Sequence, residues 1–331
     1  MSKNSFGKLV VLGTGGTIAG TAAQAGDNIG YTAAQVGVEQ LLQAIPGFSQ
    51  LLAGRALVSE QVAQVDSKDM SFGVWQCLLA RVRHHLSQDD VGAVVITHGT
   101  DTLEETAYFL HAALPSELLA GKPVVLTCAM RPASSLAPDG PQNLLDAVAV
   151  AFTPGACGVV AVCAGTVHAA VDVQKVHTYR VDAFNSGDAG PLGFIEEGCV
   201  RLVRSWNAPT FMIGNLAFDR LEATPAWPRV EIVMNYAGAD GAIVDAIMAQ
   251  QSKSVSARPL RGLVVAATGN GTVHHELEAA LLRAQATGVN VVLATRCTGG
   301  RVLPTPGMQF TDSAGLSPVK ARVALMLSLL T

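Results

Sequence analysis

The chain has 331 residues, with 49% apolar and 15% charged side chains and a formal net charge of −4 at pH 7. This composition is typical of a compact protein long enough for two domains, and it excludes a disordered chain. Because the excess charge is small and acidic, with no long basic run, we expect no nucleic-acid partner. No apolar stretch reaches the roughly 20 residues of a membrane helix, so we expect no membrane partner either.

The start of the chain and its cysteines indicate a reducing compartment. The segment MSKNSFGKLVV carries no evident secretory signal, so we expect a cytoplasmic protein, or a periplasmic one if a leader has been removed. None of the six cysteines forms a CxxC pair or lies at zinc-ligand spacing from a histidine. We interpret them as buried thiols rather than disulfides, and we predict no metal site.

Short apolar runs alternate with longer amphipathic segments along the first half of the chain. Strands are predicted at KLVVLGTG, ALVSEQVAQVDS, GAVVITHGTDT, PVVLTCAM and GVVAVCAGTV. Helices are predicted between them at GVEQLLQAIPGF, FGVWQCLLARVRHHL, LEETAYFLHAAL and NLLDAVAVAF. This βαβα order predicts a parallel sheet with helices on both faces.

The pattern loosens from Asp182 to Trp227, and a second alternation follows. Its strands are predicted at VEIVMNYA, LRGLVVAATGNG and VNVVLATRC, and its helices at AIVDAIMAQQ, VHHELEAALLRAQATG and SPVKARVALMLSLL. The predicted fold class is α/β, with a larger N-terminal Rossmann-like or flavodoxin-like parallel-sheet domain and a smaller C-terminal α/β domain. The predicted boundaries are 1–195 for the N-terminal domain, 196–228 for a linker and 229–331 for the C-terminal domain.

Four strand ends carry polar residues out of proportion to their surroundings, namely GTGGT, DSKDM, HGTDT and ATGNG. Open α/β sheets place their ligands at the carboxyl ends of the strands. We therefore expect these four loops to cluster on one edge and to form the functional site.

The first of these loops, in LVVLGTGGTIAG, has three interpretations. A dinucleotide loop needs G-x-G-x-x-G, but Ile18 stands at the third glycine position, and no acidic residue ends a second strand about 20 residues later. A phosphate-binding P-loop needs a lysine before its Ser or Thr, and none is present. On its own, the loop favours a tight turn before a helix, capped by Thr17.

The loop HGTDT favours a catalytic interpretation instead. Thr100 and Asp101 place a hydroxyl beside a carboxylate. A threonine hydroxyl is a poor nucleophile unless a base activates it and backbone N–H groups hold the oxyanion. Lys175, in its neutral form, is a candidate base. We interpret His98 as a packed structural residue.

The motifs TGGTIAG and THGTDTLEETAYFL together resemble the bacterial asparaginase/glutaminase family of threonine amidohydrolases. The resemblance continues through AMRP at 129–132, DGPQNL at 139–144, DVQK at 172–175, GPLG at 190–193, GNG at 269–271 and the closing SPVKARVALMLSL. It implies hydrolysis of the side-chain amide of asparagine to aspartate and ammonia, without metal or organic cofactor. It also implies a homotetramer, a dimer of dimers, with sites between one subunit's N-domain and its partner's C-domain.

The resemblance assigns five residues to catalysis. Thr17 matches the primary threonine that attacks the amide carbon, and Tyr31 matches the tyrosine that assists it. Thr100, Asp101 and Lys175 match a second cluster. In that cluster Lys175 activates Thr100 or its water, while Asp101 orients both and meets the substrate ammonium. Which threonine acts first stays open.

The resemblance also assigns residues to substrate binding. Ser67 matches the serine that holds the α-carboxylate, and Ala129 matches the backbone carbonyl that accepts a hydrogen bond from the leaving amide nitrogen. Asn270 matches a C-domain asparagine that faces the neighbouring site, although a turn residue in GNG is an equal alternative. Gly99 is also predicted to bind the substrate, because glycine-containing loops offer backbone N–H groups to an oxyanion.

Two departures from the family concern recognition of the substrate ammonium. Lys68 stands where the secreted members often carry glutamine, and Asp66 stands where glycine is frequent; both are counted with the substrate-binding residues. Lys68 either points outward, or is neutralised by Asp66 or Asp69, or signals a substrate without a free α-amine. The segment TPGMQFTDSAG lacks the glutamate that the secreted members bring to the partner's site.

These observations leave three functions to compare. The first is an asparaginase. The second is a related ω-amidohydrolase with altered specificity, acting on glutamine or on an N-substituted asparagine. The third is a non-catalytic amino-acid-binding protein, which the presence of all four central residues (Thr17, Thr100, Asp101 and Lys175) disfavours.

Overall fold

The computed structural model describes residues 7–206, 221, 226–253 and 258–330. The chain divides into two compact units, Met1–Met212 and Ile213–Thr331. Among the described residues, no helix is both long and apolar enough to cross a membrane.

The N-terminal unit is built on a sheet that has eight strands within the described residues. Five of them run parallel to their neighbours, in the spatial order β4, β1, β5, β6, β7. These five strands are β1 (Lys8–Gly15), β4 (Leu57–Val65), β5 (Val91–Thr97), β6 (Val124–Thr127) and β7 (Val159–Cys163). Two short strands, β2 (Thr21–Ala22) and β3 (Tyr31–Thr32), form a separate hairpin after β1.

The other side of this sheet is antiparallel. It consists of β8 (Thr166–Ala169), β11 (Gly193–Glu196) and β12 (Cys199–Leu202). The prediction of one strand over GVVAVCAGTV is wrong, because the chain reverses between β7 and β8. Ala164 and Gly165 have φ values of +48° and +71°, and two consecutive left-handed residues form the tight hairpin turn that suits twisted strands.

Helices cover both sides of the sheet. They are α1 (Val38–Gln43), α2 (Phe48–Leu51), α3 (Phe72–Leu86), α4 (Leu103–Ala113), α5 (Ser116–Leu119) and α6 (Gly140–Ala151). Leu9 and Val11 of β1 belong to a buried apolar cluster with residues of α1 and α6. Val10 and Leu12 are equally buried but face the opposite side, because successive strand residues alternate.

The predicted linker over 196–228 contains β12, while 207–220 and 222–225 lie outside the described residues. A separate two-stranded piece, β9 (Gln174–Lys175) and β10 (Phe184–Asn185), lies before β11 in the chain.

The C-terminal unit has its own parallel sheet. Its strands are β13 (Arg229–Met234), β14 (Leu260–Ala267), β15 (Asn290–Thr295) and β16 (Thr311–Asp312), in that order. Its helices are α7 (Ala242–Lys253), α8 (His275–Ala286) and α9 (Pro318–Ser328). A second apolar cluster, which includes Val244, Leu263 and Leu281, forms its core. The predicted α/β fold class, with a large parallel-dominated sheet and a smaller second unit, is confirmed.

Candidate active site

Three of the four polar loops lie side by side at the carboxyl edge of the N-terminal sheet. They follow β4, β1 and β5, which are adjacent strands. Because parallel strands bring their carboxyl ends to one edge, DSKDM, GTGGT and HGTDT meet there, as predicted. The expectation that the fourth loop, ATGNG, shares this edge is wrong, because ATGNG follows β14, which belongs to the separate sheet of the other unit.

Glycines allow these three loops to touch through their backbones. A Cβ atom on Gly16 would collide with the backbone of Gly99, and one on Gly99 would collide with the side chain of Ser67. Gly16 also has a φ of +82°, in the left-handed region that favours glycine. The glycines therefore permit a close approach of loops in which the hydroxyl-bearing residues are neighbours.

Thr17 begins a single 3₁₀ turn, Thr17–Ala19, directly after β1. The interpretation of Thr17 as a cap is wrong, because Gly16 takes the N-cap position and no side chain caps the turn. The Thr17 hydroxyl is instead 2.7 Å from the Tyr31 hydroxyl. Tyr31 lies on β3, and the β2–β3 hairpin returns it towards Thr17. Thr17 is 7% exposed, so its hydroxyl lies in a largely enclosed position.

Thr100, Asp101 and Lys175 form a second cluster. The Lys175 Nζ donates to Thr100 Oγ1 at 2.8 Å and to Asp101 Oδ1 at 2.6 Å. The Thr100 hydroxyl lies 3.5 Å from the same carboxylate oxygen, at the limit of a hydrogen bond. The Lys175 side chain is 18% exposed, whereas that of Asp101 is 53% exposed. The structure thus brings together the three residues that the sequence could not join, with the lysine as a hydrogen-bond donor to both partners.

Ser67 connects the loop after β4 to this second cluster. Its Oγ accepts the N–H of Asp101 at 3.1 Å, and its carbonyl accepts the Thr102 hydroxyl at 2.8 Å. Ser67 is buried, and its hydroxyl hydrogen has no acceptor among the described residues. That hydrogen is therefore available to an anionic ligand group.

Lys68 is neutralised by both of its acidic neighbours. Its Nζ lies 2.6 Å from Asp66 Oδ2 and 3.2 Å from Asp69 Oδ2, and its side chain is 61% exposed. Hydrogen bonds to Asp66 and then Asp69 raise the pKa of Lys68 above its usual range. Asp66 also accepts the backbone N–H of Lys68 at 3.3 Å. Of the three alternatives, the structure shows an exposed and paired lysine.

Ala129 follows β6, in a loop tied to the loop of Thr17. The Ala133 N–H donates to the Gly20 carbonyl at 2.9 Å, and the Ala22 N–H donates to Ser134 Oγ at 2.8 Å. Ile18, the neighbour of Thr17, packs with Ala129 in one buried apolar cluster. The predicted acceptor and the predicted nucleophile therefore lie on two loops that are bonded to each other.

Asn270 lies in the C-terminal unit, where it closes a loop. Its Nδ2 donates to the Leu303 carbonyl at 3.1 Å, and its Oδ1 accepts the Leu303 N–H at 2.7 Å. Both ends of the amide are thus engaged by one backbone residue. This geometry matches the turn alternative, and a role towards a neighbouring site stays a prediction.

His98 is fully buried behind the HGTDT loop. Burial lowers its pKa to about 4, although a hydrogen bond to the Gly99 carbonyl acts in the opposite direction. The Nδ1 lies 2.7 Å from that carbonyl. A neutral imidazole that donates to its own loop agrees with a structural residue.

His177 was not predicted from the sequence, and it fixes the turn of the chain after Lys175. Its Nδ1 accepts the N–H groups of Tyr179 and Arg180, each at 3.0 Å. It lines a cavity of about 410 Å³ together with Asp101 and Lys175. The His177 ring nitrogen accepts from N–H groups only two and three residues further along the chain. A side-chain-to-backbone contact this local is the signal in the sequence that could have identified the turn.

The described residues contain no group of three or more His, Cys, Asp or Glu side chains arranged to hold a metal ion.

The hydroxyl, lysine and carboxylate groups gathered at the carboxyl edge of the parallel strands have the composition of an enzyme's catalytic site. The chain belongs to the asparaginase family. Residues 8–207 match the family model described as "Asparaginase, N-terminal", and residues 229–331 match the "Glutaminase/Asparaginase C-terminal domain".

Curated relatives and a solved structure agree with this assignment. The chain is 36% identical to "L-asparaginase 2" of Bacillus subtilis, over 99% of this chain and 84% of the relative. It is 34% identical to "Glutaminase-asparaginase" of Pseudomonas fluorescens biotype A, over 99% of this chain and 88% of the relative. A crystal structure of the probable cytoplasmic L-asparaginase of Campylobacter jejuni superposes with a TM-score of 0.84 at 32% identity, covering 98% of this chain and 95% of that one.

Proposed function

We propose that the protein hydrolyses the side-chain amide of L-asparagine to L-aspartate and ammonia. The observation that carries this proposal is the pairing of two threonine hydroxyls with different partners at one sheet edge. Thr17 meets a tyrosine, and Thr100 meets a lysine and a carboxylate. Relatives named L-asparaginase over nearly the full chain support the same reaction.

Thr17 is the proposed nucleophile. Its oxygen bonds to the amide carbon while its proton passes to the Tyr31 oxygen, 2.7 Å away, and the phenol passes its own proton to the leaving nitrogen in the same relay. The amide C–N bond then breaks, the nitrogen leaves as ammonia with the proton received from the phenol, and Tyr31 keeps the proton that came from Thr17. A water molecule cleaves the resulting Thr17 ester, which releases aspartate and restores the hydroxyl.

The second cluster has the proposed role of placing charge and water. Lys175 donates to both Thr100 and Asp101, so its ammonium lowers the cost of negative charge at this edge. The Thr100 hydroxyl can then orient the water that cleaves the ester. The half-exposed Asp101 carboxylate is left to bind the ammonium of the substrate.

Recognition of the amino-acid end uses the loop of Ser67. Its buried hydroxyl donates to the α-carboxylate, and the backbone N–H groups around Gly99 complete the anion contact. The Ala129 carbonyl accepts a hydrogen bond from the leaving nitrogen. We retain Asp66 as a contact near the ammonium and Asn270 as a contact from a neighbouring subunit, within a cytoplasmic homotetramer built as a dimer of dimers. We propose that no metal or organic cofactor takes part.

A second candidate is an enzyme that also accepts glutamine, because three relatives are named glutaminase-asparaginase. One assay separates these candidates. Ammonia release is measured with asparagine, glutamine and N-substituted asparagines at equal concentration. We expect asparagine to give the largest kcat/KM. A larger value for another amide would move the assignment to that substrate, and binding without turnover would leave only an amino-acid-binding protein.

A further inference from the structure

The backbone around Ala129 is held by a carboxylate at the start of α6. Asp139 Oδ2 accepts the Met130 N–H and Asp139 Oδ1 accepts the Arg131 N–H, both at 2.9 Å. Asp139 occupies the N-cap position of α6 but makes no side-chain cap bond to that helix. Its carboxylate is therefore directed at the loop rather than at its own helix.

Asn143, one helical turn further on, holds the other side of Ala129. Its Nδ2 donates to the Cys128 carbonyl at 2.9 Å and to Asp139 Oδ2 at 3.2 Å. Its Oδ1 accepts the Ala164 N–H at 2.9 Å, which joins the loop to the end of β7. Asn143 is 3% exposed, so its side-chain amide is buried, and both its nitrogen and its oxygen are hydrogen-bonded.

These bonds determine where the Ala129 carbonyl points. The peptide unit between Ala129 and Met130 is planar and trans, as are all peptide bonds of the described residues. In such a unit the C=O and the N–H point in opposite directions. Because the Met130 N–H points at Asp139, the Ala129 C=O points away from Asp139.

The Ala129 carbonyl has no hydrogen-bond donor among the described residues. Buried backbone carbonyls are usually paired, so an acceptor held in a fixed direction without a donor is a place for a ligand N–H. The negative charge at the other end of the same peptide unit also strengthens this acceptor, because hydrogen bonds in a chain polarise one another.

We propose that Asp139 is a positioning residue that aims the Ala129 carbonyl at the N–H of the leaving group and so selects amides over esters. This inference rests on the proposed function. An amide nitrogen offers a hydrogen to the carbonyl, whereas an ester oxygen at the same place offers none. Asp139 therefore acts on the reaction only through a hydrogen that the ester lacks.

The test compares asparagine with the β-methyl ester of L-aspartate in wild type and Asp139→Asn. In the Asp139→Asn variant, the new side chain keeps one acceptor oxygen, but its NH2 group faces one of the two loop N–H groups and cannot accept from it. We expect kcat/KM for the amide to fall about tenfold, as for loss of one well-placed hydrogen bond. We expect kcat/KM for the ester to stay within about twofold or to rise.

Asp146→Asn is the matched control, because Asp146 is a carboxylate of the same helix that bonds to Gln142. It should leave both substrates unchanged. Asp139→Ser is a second variant, which shortens the side chain away from both N–H groups and should shift the amide-to-ester ratio in the same direction. An equal loss for amide and ester in both Asp139 variants would overturn the inference while the proposed function stands. A wild-type enzyme that releases no ammonia from asparagine would overturn the proposed function first, and the inference with it.

Discussion

The two threonines of the site differ in what surrounds them. The Thr17 hydroxyl meets the neutral phenol of Tyr31, which comes 14 residues later in the chain. The Thr100 hydroxyl meets the Lys175 ammonium and the Asp101 carboxylate, and the lysine comes 75 residues later. One environment is uncharged and locally built, and the other is ionic and assembled across the fold.

This difference separates a nucleophile from a charge-bearing partner. An oxygen that already accepts a hydrogen bond from an ammonium has lower electron density to offer a carbonyl carbon, whereas an oxygen beside a phenol keeps it. Thr17 therefore has the environment of an attacking group. Thr100 has that of a group which orients water or stabilises charge.

The largest expected effect is that of Thr17→Ala. Removal of the attacking oxygen should lower kcat for ammonia release by about 10⁴-fold or more. The variant would still bind the substrate, but it could not form the covalent intermediate. Thr17→Ser keeps the oxygen and should retain measurable turnover. An alanine variant with wild-type kcat would place the nucleophile elsewhere. The measurement is steady-state ammonia release from asparagine.

Lys175→Met should have the next largest effect. The substitution keeps an apolar stem of similar length but removes both bonds to the second cluster, and it leaves Asp101 without its cation. We expect kcat to fall by about 10²- to 10³-fold, as for loss of a charged group in a preorganised site. Lys122→Met is a control, because Lys122 bonds the Leu86 and Gln88 carbonyls away from this cluster. Equal losses in both variants would indicate that the effect reflects stability alone.

Tyr31→Phe tests the uncharged partner. Loss of the hydroxyl leaves the Thr17 proton without its acceptor, so kcat should fall by about 10- to 100-fold while KM changes little. The kcat and KM values on asparagine are measured together. A rise in KM alone would show that Tyr31 contributes to binding rather than to proton transfer.

His98 gives the N-terminal unit a predicted dependence of stability on pH. Its pKa is about 4 in the folded protein against about 6.5 in an unfolded chain. Between these values the unfolded state binds more protons, so the free energy of unfolding rises with pH. The folded state should therefore lose up to about 3 kcal/mol as the pH falls from 6.5 through 4.

This pH dependence is measured as the urea midpoint at steps from pH 7.5 to pH 4. The variant His98→Asn keeps a side-chain N–H for the Gly99 carbonyl but removes the titration, so its midpoint should vary less over that range. Identical pH profiles for the two proteins would contradict the assignment of this dependence to His98.

Lys68→Gln should have the smallest effect. Because Asp66 and Asp69 hold the ammonium at an exposed position, KM for asparagine should stay within about twofold of wild type. A clearly tighter KM in Lys68→Gln would show that the lysine faces the substrate after all.

The alternation of apolar runs predicted most of the fold, because strands and helices with a buried face leave a periodic signal. The polar loops predicted the site because DSKDM, GTGGT and HGTDT follow three parallel strands that share one edge of the sheet. The hairpin at Ala164 and Gly165 escaped prediction, because an alanine in the left-handed region leaves no mark in the sequence.

The contacts that assemble the site could not be predicted from the sequence, for a different reason. Lys175 lies on a two-residue strand, which is too short to show a period, and its partners come from a distant loop. Asp139 and Asn143 bond to backbone groups of the Ala129 loop through their side chains. The identity of the loop residues therefore does not show that these bonds exist. Such contacts follow from the path of the backbone, which only the structure supplies.

The central claim, that Thr17 attacks the amide, is tested most directly by trapping the covalent intermediate. The enzyme is quenched in acid during turnover of asparagine, digested, and analysed by mass spectrometry for an aspartyl group on a threonine. We expect an aspartyl ester on Thr17, present in the wild type and in Thr100→Ala. An ester on Thr100 instead, or one that persists in Thr17→Ala, would contradict it.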